Sequence, residues 1–505
     1  MTCDIRTEPV VPVRDLHGPT TRVGLRELLC NAHNYAELDI NIPPAEAMML
    51  RVLYTITARI TGLDQHTNRD EFLNARNTAL TAGRFDPDAV DRYLNTGEWD
   101  LFHPRRPWMQ DPRLTEQSSL KSINTLDPTR PGDASPIWWH YTHTECAPPM
   151  PAHEALLWLL TAHGYGPAGG GGAREVTSGG RTVRDQYMSA APLRGSVSTY
   201  PIGRTLYETL LAGVPSPTGD TSVADIAPWE TIELHDPLGE PGPITWPAGV
   251  LVGRSRHGLL LDGTTNNIVD GCYYTWGLKA EHPFVFDPYC IYDRNPKPSA
   301  ETPEWYMRRG SIDRAVWRET DALIAQHSDR VRPQILVDAA ALPENVRDAL
   351  RVRVIGWDQD RQAKDRAWYA SDTPSVLSYL HELDPPTAAR VSDICHMAET
   401  VARMLTWALS SEYRNAGLGA KSPWSERAAL RFWSLAERYF WRNITNPDAN
   451  PARELSQIAV RVVTDVVGGS AADTKVARMT SIARQKIGAA VIKETKKKKE
   501  AANRG

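Results

Sequence analysis

The 505-residue sequence predicts an α+β protein, with a large mixed α/β N-terminal domain over 1–384 and a C-terminal four-helix bundle over 385–505. Three observations predict it. Asp384-Pro385-Pro386 interrupts the chain, because a helix does not continue through a double proline. Beyond it, four amphipathic segments can be drawn at roughly 387–414, 424–443, 451–468 and 471–495. Their breaks, "NAGLGAKSP", "NPDANP" and "GGSAAD", are helix stop and start signals, and such short connections imply antiparallel neighbours. Before the prolines, helical and strand-like stretches are interleaved with long loops.

The N-terminal part reads as follows. An extended "PVVPVRD" leads to "LRELLCNA" and then to a helix opened by Pro44, in which Ala47, Met48, Val52, Leu53 and Ile56 recur at helical spacing. Helical material continues to about residue 98, followed by an extended, packed "LFHPRRPWMQ". Residues 111–151 are rich in Pro, Ser, Thr, Asp and Gly, yet they carry "IWWHYTH"; loops of this length are functional or disordered, and exposed aromatics are costly unless they dock on something.

A helix over 152–163 then gives way to "GYGPAGGGGAREVTSGGRTVRD", read as a glycine-rich loop. "LRGSVSTYPIG" and "WPAGVLVGRSRHGLLLDG" read as extended. At 351–356, "RVRVIG" alternates apolar and polar residues as a half-buried strand does, and Gly356 permits a turn or bulge at its end. The polar run Asp358 to Lys364 that follows is expected to be a hairpin tip held away from the core.

Composition narrows the function. Hydrophobic residues at 41% and charged residues at 23% exclude wholesale disorder. Cysteines at 3, 30, 146, 272, 290 and 395 include no Cys-x-x-Cys pair, which fits a reducing compartment. The first residues show no basic-then-apolar leader and no apolar run approaches about 18 residues, so the expectation is a soluble, cytoplasmic protein without a membrane partner. The net charge of −4 is unevenly spread: residues 451–505 hold 12 Lys or Arg against 5 Asp or Glu, a charge of +7, leaving −11 on the first 450. The basic end, "KETKKKKEAANRG", is a solvated tail or a polyanion contact.

"GYGPAG" matches G-x-G-x-x-G in letters, but a helix precedes it and no good helix starts inside it, so it lacks the strand–turn–helix context of a dinucleotide site. Its glycines do allow backbone N–H groups to approach a polyanion or a base edge. His140, His143, Cys146, His153 and His163 lack the tight repeated knuckles of a zinc centre. No G-x-S-x-G, H-E-x-x-H or Walker A stretch is present. The sequence therefore points to no catalytic residue, no metal and no cofactor, and to a protein that is not an enzyme.

Taken in order, "PVVPVRD", "LFHPRRPWMQ", "IWWHYTH", "GYGPAGGGG", "PLRGSVSTYPIGRTLYETLL", "HPFVFDPYCIYDRNPK", "GWDQDRQAK" and the terminal helices resemble the large subunit, CasA or Cse-type, of the type I-E CRISPR surveillance complex Cascade, from about residue 9 to 490. The resemblance implies an α/β domain followed by a four-helix bundle. It implies a subunit that recognises a protospacer-adjacent motif in double-stranded DNA from the minor groove, starts strand separation, and helps recruit a helicase-nuclease. Its partners would be the other Cascade subunits, the CRISPR RNA, duplex target DNA and that nuclease. By the same resemblance a glycine loop falls within Gly164, Gly166, Gly169 and Gly170; Lys297 is the lysine finger, with Arg294 able to substitute; and Gln362 beside Arg361 forms the wedge. Trp138, Trp139 and His140 correspond to a loop that docks near the guide RNA, where relatives are expected to carry Phe or Leu and end in Asn or Asp. Two other readings stay open: a metal- or nucleotide-dependent enzyme using the His-rich and Gly-rich loops, and a purely structural assembly scaffold.

Overall fold

The computed structural model describes residues 2–132, 147–218, 222–264, 267–299, 302–359 and 365–502. The chain forms two compact units. One comprises Met1–Val316 and His327–Ser378, the other Trp317–Gln326 and Tyr379–Gly505. The short segment Trp317–Gln326, which precedes Pro385 by some sixty residues, thus belongs with the helical unit.

The first unit is built around the helix Pro43–Thr61, in which every residue from Pro44 to Ala58 is buried. A helix apolar all round belongs in the centre of a domain rather than on its surface. Its two charged intruders are paired. Arg51 donates to both carboxylate oxygens of buried Asp287 at 2.7 and 2.8 Å. Glu46 accepts from Arg353 at 2.6 Å, and burial pushes its carboxyl up to about 7. The helix Ala152–Tyr165, also buried along most of its length, packs against the central one.

Small antiparallel sheets surround these helices. Val11–Asp15 lies between Thr20–Val23 and Tyr35–Leu38. His257–Thr264 pairs with Ile268–Trp276. Tyr292–Arg294 lies between Trp305–Met307 and Arg330–Val331. Arg351–Gln359 lies between Val197–Ile202 and Asp365–Asp372.

Three sequence expectations are corrected. The stretch after Gly164 is not a loop: the helix runs on to Tyr165, and Gly169–Ser178 and Arg181–Met188 form a two-stranded hairpin turned by Gly179 and Gly180, both at positive φ. The glycines had hidden an alternation of buried Arg174 and Val176 with exposed Ala173, Glu175 and Thr177, which is a strand pattern. The first half of "WPAGVLVGRSRHGLLLDG" is a short helix, Ala248–Leu251, and only its second half is a strand. Gly356 does not end its strand. It sits opposite Tyr369, whose ring a Cβ at 356 would overlap, and the strand continues to Gln359.

Among the described residues the second unit holds four long helices, Pro385–Asn415, Ser425–Asn443, Pro451–Val467 and Thr474–Ala502, and the first packs against the other three. Its buried face, including Val391, Ile394, Ala398, Val401, Leu405 and Ala408, follows the helical repeat. Asp384 caps it by accepting from the Thr387 N–H at 3.1 Å, and Asn450 caps the third by accepting from the Arg453 N–H at 3.1 Å. No helix among the described residues is long and apolar enough to cross a membrane.

Candidate nucleic-acid interface

The hairpin Arg351–Gln359/Asp365–Asp372 is closed by residues 360–364, and these lie outside the described residues. The expected wedge residues Arg361 and Gln362 are among them. What the structure describes is the foot. Asp358 and Gln359, expected in the polar tip, are instead buried strand residues. The reason is hydrogen bonding. The Gln359 side chain accepts from the Gly195 N–H at 3.0 Å and donates to Asp365 Oδ1 at 2.8 Å, while its backbone carbonyl accepts from Arg309. A buried amide with both ends satisfied is a fixed strut rather than a solvated tip. Underneath, Trp357 meets Trp368 edge-to-face with ring centroids 5.2 Å apart, and Trp357 lies beside Tyr165 at 5.9 Å.

The hairpin foot and the glycine segment are joined. Arg194 donates to the Tyr165 carbonyl at 3.0 Å and to Asp365 Oδ1 at 2.8 Å, so one guanidinium ties the end of the glycine-bearing helix to the second strand of the hairpin. The four predicted glycines divide into two kinds. Gly164 and Gly166 are buried packing positions: a Cβ at 164 would overlap Met48 of the central helix, and one at 166 would come within 2.6 Å of the Ala162 carbonyl oxygen and of the His257 ring. Gly169, at φ +129°, and Gly170 start the next strand with open space beside them.

The finger candidate Lys297 lies on the connection between the strands Tyr292–Arg294 and Trp305–Met307. It is exposed, and among the described residues its side chain forms no ion pair. Its backbone N–H donates to Asn295 Oδ1 at 3.0 Å, which shapes the turn. Arg294, by contrast, is engaged: it pairs with Glu304 at 2.9 Å and lies over the Trp305 ring at 5.9 Å. The strand end of this connection leads directly to Arg309, which reaches Gln359, and to Gly310, whose N–H donates to the Gly195 carbonyl at 2.9 Å. The end of the helix before the glycine segment, the residues that follow the strand Trp305–Met307 and the foot of the hairpin therefore meet in one framework of Tyr165, Gly195, Arg309 and Gln359.

None of these framework residues was predicted. Gln359 carried a faint signal, since a polar residue continuing an apolar strand must find partners when buried; Gly195 and Arg309 carried none. Trp138, Trp139 and His140, with His143 and Cys146, lie outside the described residues. His163 is committed elsewhere: its Nε2 donates to the Met109 carbonyl at 2.8 Å and its Nδ1 accepts from the Ser255 hydroxyl at 2.6 Å, and burial lowers it to about 4. Among the described residues no three His, Cys, Asp or Glu side chains cluster as metal ligands.

An α/β unit that anchors two hairpins and a glycine-led strand on one framework, followed in the chain by a bundle of four helices, is an architecture with known counterparts. The fold of a chain in a "CRISPR RNA-guided surveillance complex" matches it with a TM-score of 0.85 at 33% identity, over 96% of this chain and 99% of that one. The structure of Thermus thermophilus CasA (Cse1) shares the fold with a TM-score of 0.77 at 19% identity, over 97% and 99% of the two chains. In sequence, the CasA/Cse1 protein of Thermus thermophilus is 26% identical over 458 residues, 86% of this chain and 84% of its own. The family described as CRISPR-associated protein Cse1 matches residues 4–464. The chain belongs to the CRISPR-associated Cse1 family.

Proposed function

We propose that this protein is the large subunit of a type I-E CRISPR RNA-guided surveillance complex and that it inspects double-stranded DNA for a short flanking motif, starting strand separation there. Gly169 and Gly170 bring bare backbone to the minor groove, where the hydrogen-bond code is degenerate and readout is permissive. Lys297 supplies the finger in preference to Arg294, whose charge is already paired. Arg361 and Gln362, between the strands of a hairpin with a rigid foot, act as the wedge. Opening the first base-pair step costs a few kcal/mol, which contacts to the separated strands and guide pairing offset. Trp138, Trp139 and His140 dock near the guide RNA, and the assembled complex recruits a helicase-nuclease; this chain breaks no bond.

The observation that carries the reading is the tie through Arg194, Gln359 and Arg309, which links the glycine segment, the finger connection and the foot of the wedge hairpin. Pre-positioned recognition and prying elements are what motif-coupled opening requires. The test uses the assembled complex with Arg361→Ala and Gln362→Ala together. Opening of closed target duplex is expected to fall while binding to a pre-opened bubble is retained; equal loss on both substrates would overturn the wedge.

A further inference from the structure

At the foot of the finger connection lies a cleft of about 260 Å³ that the proposed function does not use. Arg254, Arg256, His282, Phe284, Tyr292 and Met307 line it, the last two from the finger strands themselves. Its volume lies just below the roughly 300 Å³ at which small-molecule pockets start, room for one nucleotide-sized group.

One wall is aromatic and open. Phe284, which lines the cleft, is 63% exposed, and Phe286, outside the lining, 38%. They are held upright by edge-to-face contacts, Phe284 to Phe286 at 5.0 Å and Phe286 to Tyr292 at 4.9 Å, so the exposed rings are braced. The other wall is cationic with charge to spare. Buried Asp287 is shared by two guanidiniums, Arg51 and Arg254, leaving one positive charge in excess. Among the described residues Arg256 pairs with Glu281 alone, at 3.6 Å, a carboxylate 86% exposed, and its Nε has no hydrogen-bond partner. His282 sits beside both arginines and close to the Ser255 backbone.

We propose that this cleft seats one nucleotide of single-stranded nucleic acid, its base stacked on Phe284 and its phosphate held by Arg256. A fixed ring beside an under-paired guanidinium binds any base face and any phosphate without reading sequence. A partner protein's apolar anchor would instead desolvate Arg256 and leave its Nε without an acceptor. The source of the strand rests on the proposed function: a duplex opened next to the finger releases a single strand at this point.

The test titrates the full chain with an eight-nucleotide single-stranded DNA carrying 2-aminopurine and follows quenching. Phe284→Ala is expected to weaken binding about tenfold, the scale of one base–aromatic stack, and Phe284→Trp to retain it within about twofold. Arg256→Gln should reduce the salt dependence of binding. The large exposure of Phe284 lets its removal leave the thermal midpoint unchanged, which is measured alongside. Unchanged affinity in Phe284→Ala overturns the proposal, as does loss of co-purifying subunits with single-strand binding intact. If the Arg361/Gln362 variant opens duplex normally while Phe284→Ala still loses the single strand, the wedge reading falls and this inference stands.

Discussion

Gly166 and Gly170 stand four residues apart under opposite constraints, and this sorts the glycine segment into structure and surface. A methyl group at 166 meets the Ala162 carbonyl oxygen at 2.6 Å, which is backbone and cannot move aside, whereas one at 170 meets open space. Overpacking of this kind costs about 1–3 kcal/mol. Gly166→Ala is therefore expected to lower the unfolding free energy by about that amount, while Gly170→Ala stays within about 0.5 kcal/mol. The functional signs are the reverse. Gly170→Ala, with its fold intact, should weaken binding to motif-bearing duplex, because the added methyl stands between backbone and groove. Thermal unfolding and duplex titration on the two variants decide the matter; a Gly170→Ala protein that binds normally would remove that residue from the interface. The sequence motif could not make this division, since all four glycines look alike until the packing of Met48, His257 and Tyr274 around the first two is known.

For the elements, legibility depended on whether the signal was local. The helix boundaries of the second unit could be read closely because the caps are local: Asp384 and Asn450 each precede a proline and bond a backbone N–H three residues on. The strand Arg351–Gln359 was visible as far as Gly356 and then lost. Beyond that point the side chains are polar, and what keeps them buried comes from Gly195, Arg309 and Asp365, remote in sequence or across the hairpin. The same nonlocality hid the hairpin Gly169–Met188 behind its glycines. The Gln359 strut yields a prediction about the element as a unit. In Gln359→Ala the buried Gly195 N–H is left without its acceptor, at a cost of about 1–3 kcal/mol. Amide exchange is expected to quicken at Gly195 and along Asp365–Tyr369, with duplex opening reduced although Arg361 and Gln362 are untouched. Unchanged protection at Gly195 would show that the foot is held by Arg194 and Arg309 alone.

Over the whole molecule, charge is distributed against simple DNA adhesion. The chain carries −4 overall, with −11 on its first 450 residues, so a duplex would gain nothing from the bulk field and, on the proposed function, depends on individually placed donors. The basic C-terminal end is the exception, and its contribution can be separated. In the last helix the buried positions Val476, Met479, Ala483 and Ile487 follow helical spacing and precede the lysine run, so removal of residues 493–505 spares them. That deletion takes away six Lys or Arg and two Asp or Glu. For every phosphate thereby left without its cation, the slope of log affinity against log salt should fall by about 0.9 on nonspecific duplex. Preference among flanking trinucleotides should be unaffected, because a cation that meets only phosphates treats every sequence alike, whereas the groove contacts proposed for Gly169, Gly170 and Lys297 would not. Salt titrations on a nonspecific duplex and on a flanking-motif library, run with the assembled complex, separate the two contributions. A deletion that erases motif preference would move recognition from the framework around Gln359 to the tail; one that leaves the salt slope unchanged would show that the lysines neutralise no phosphate.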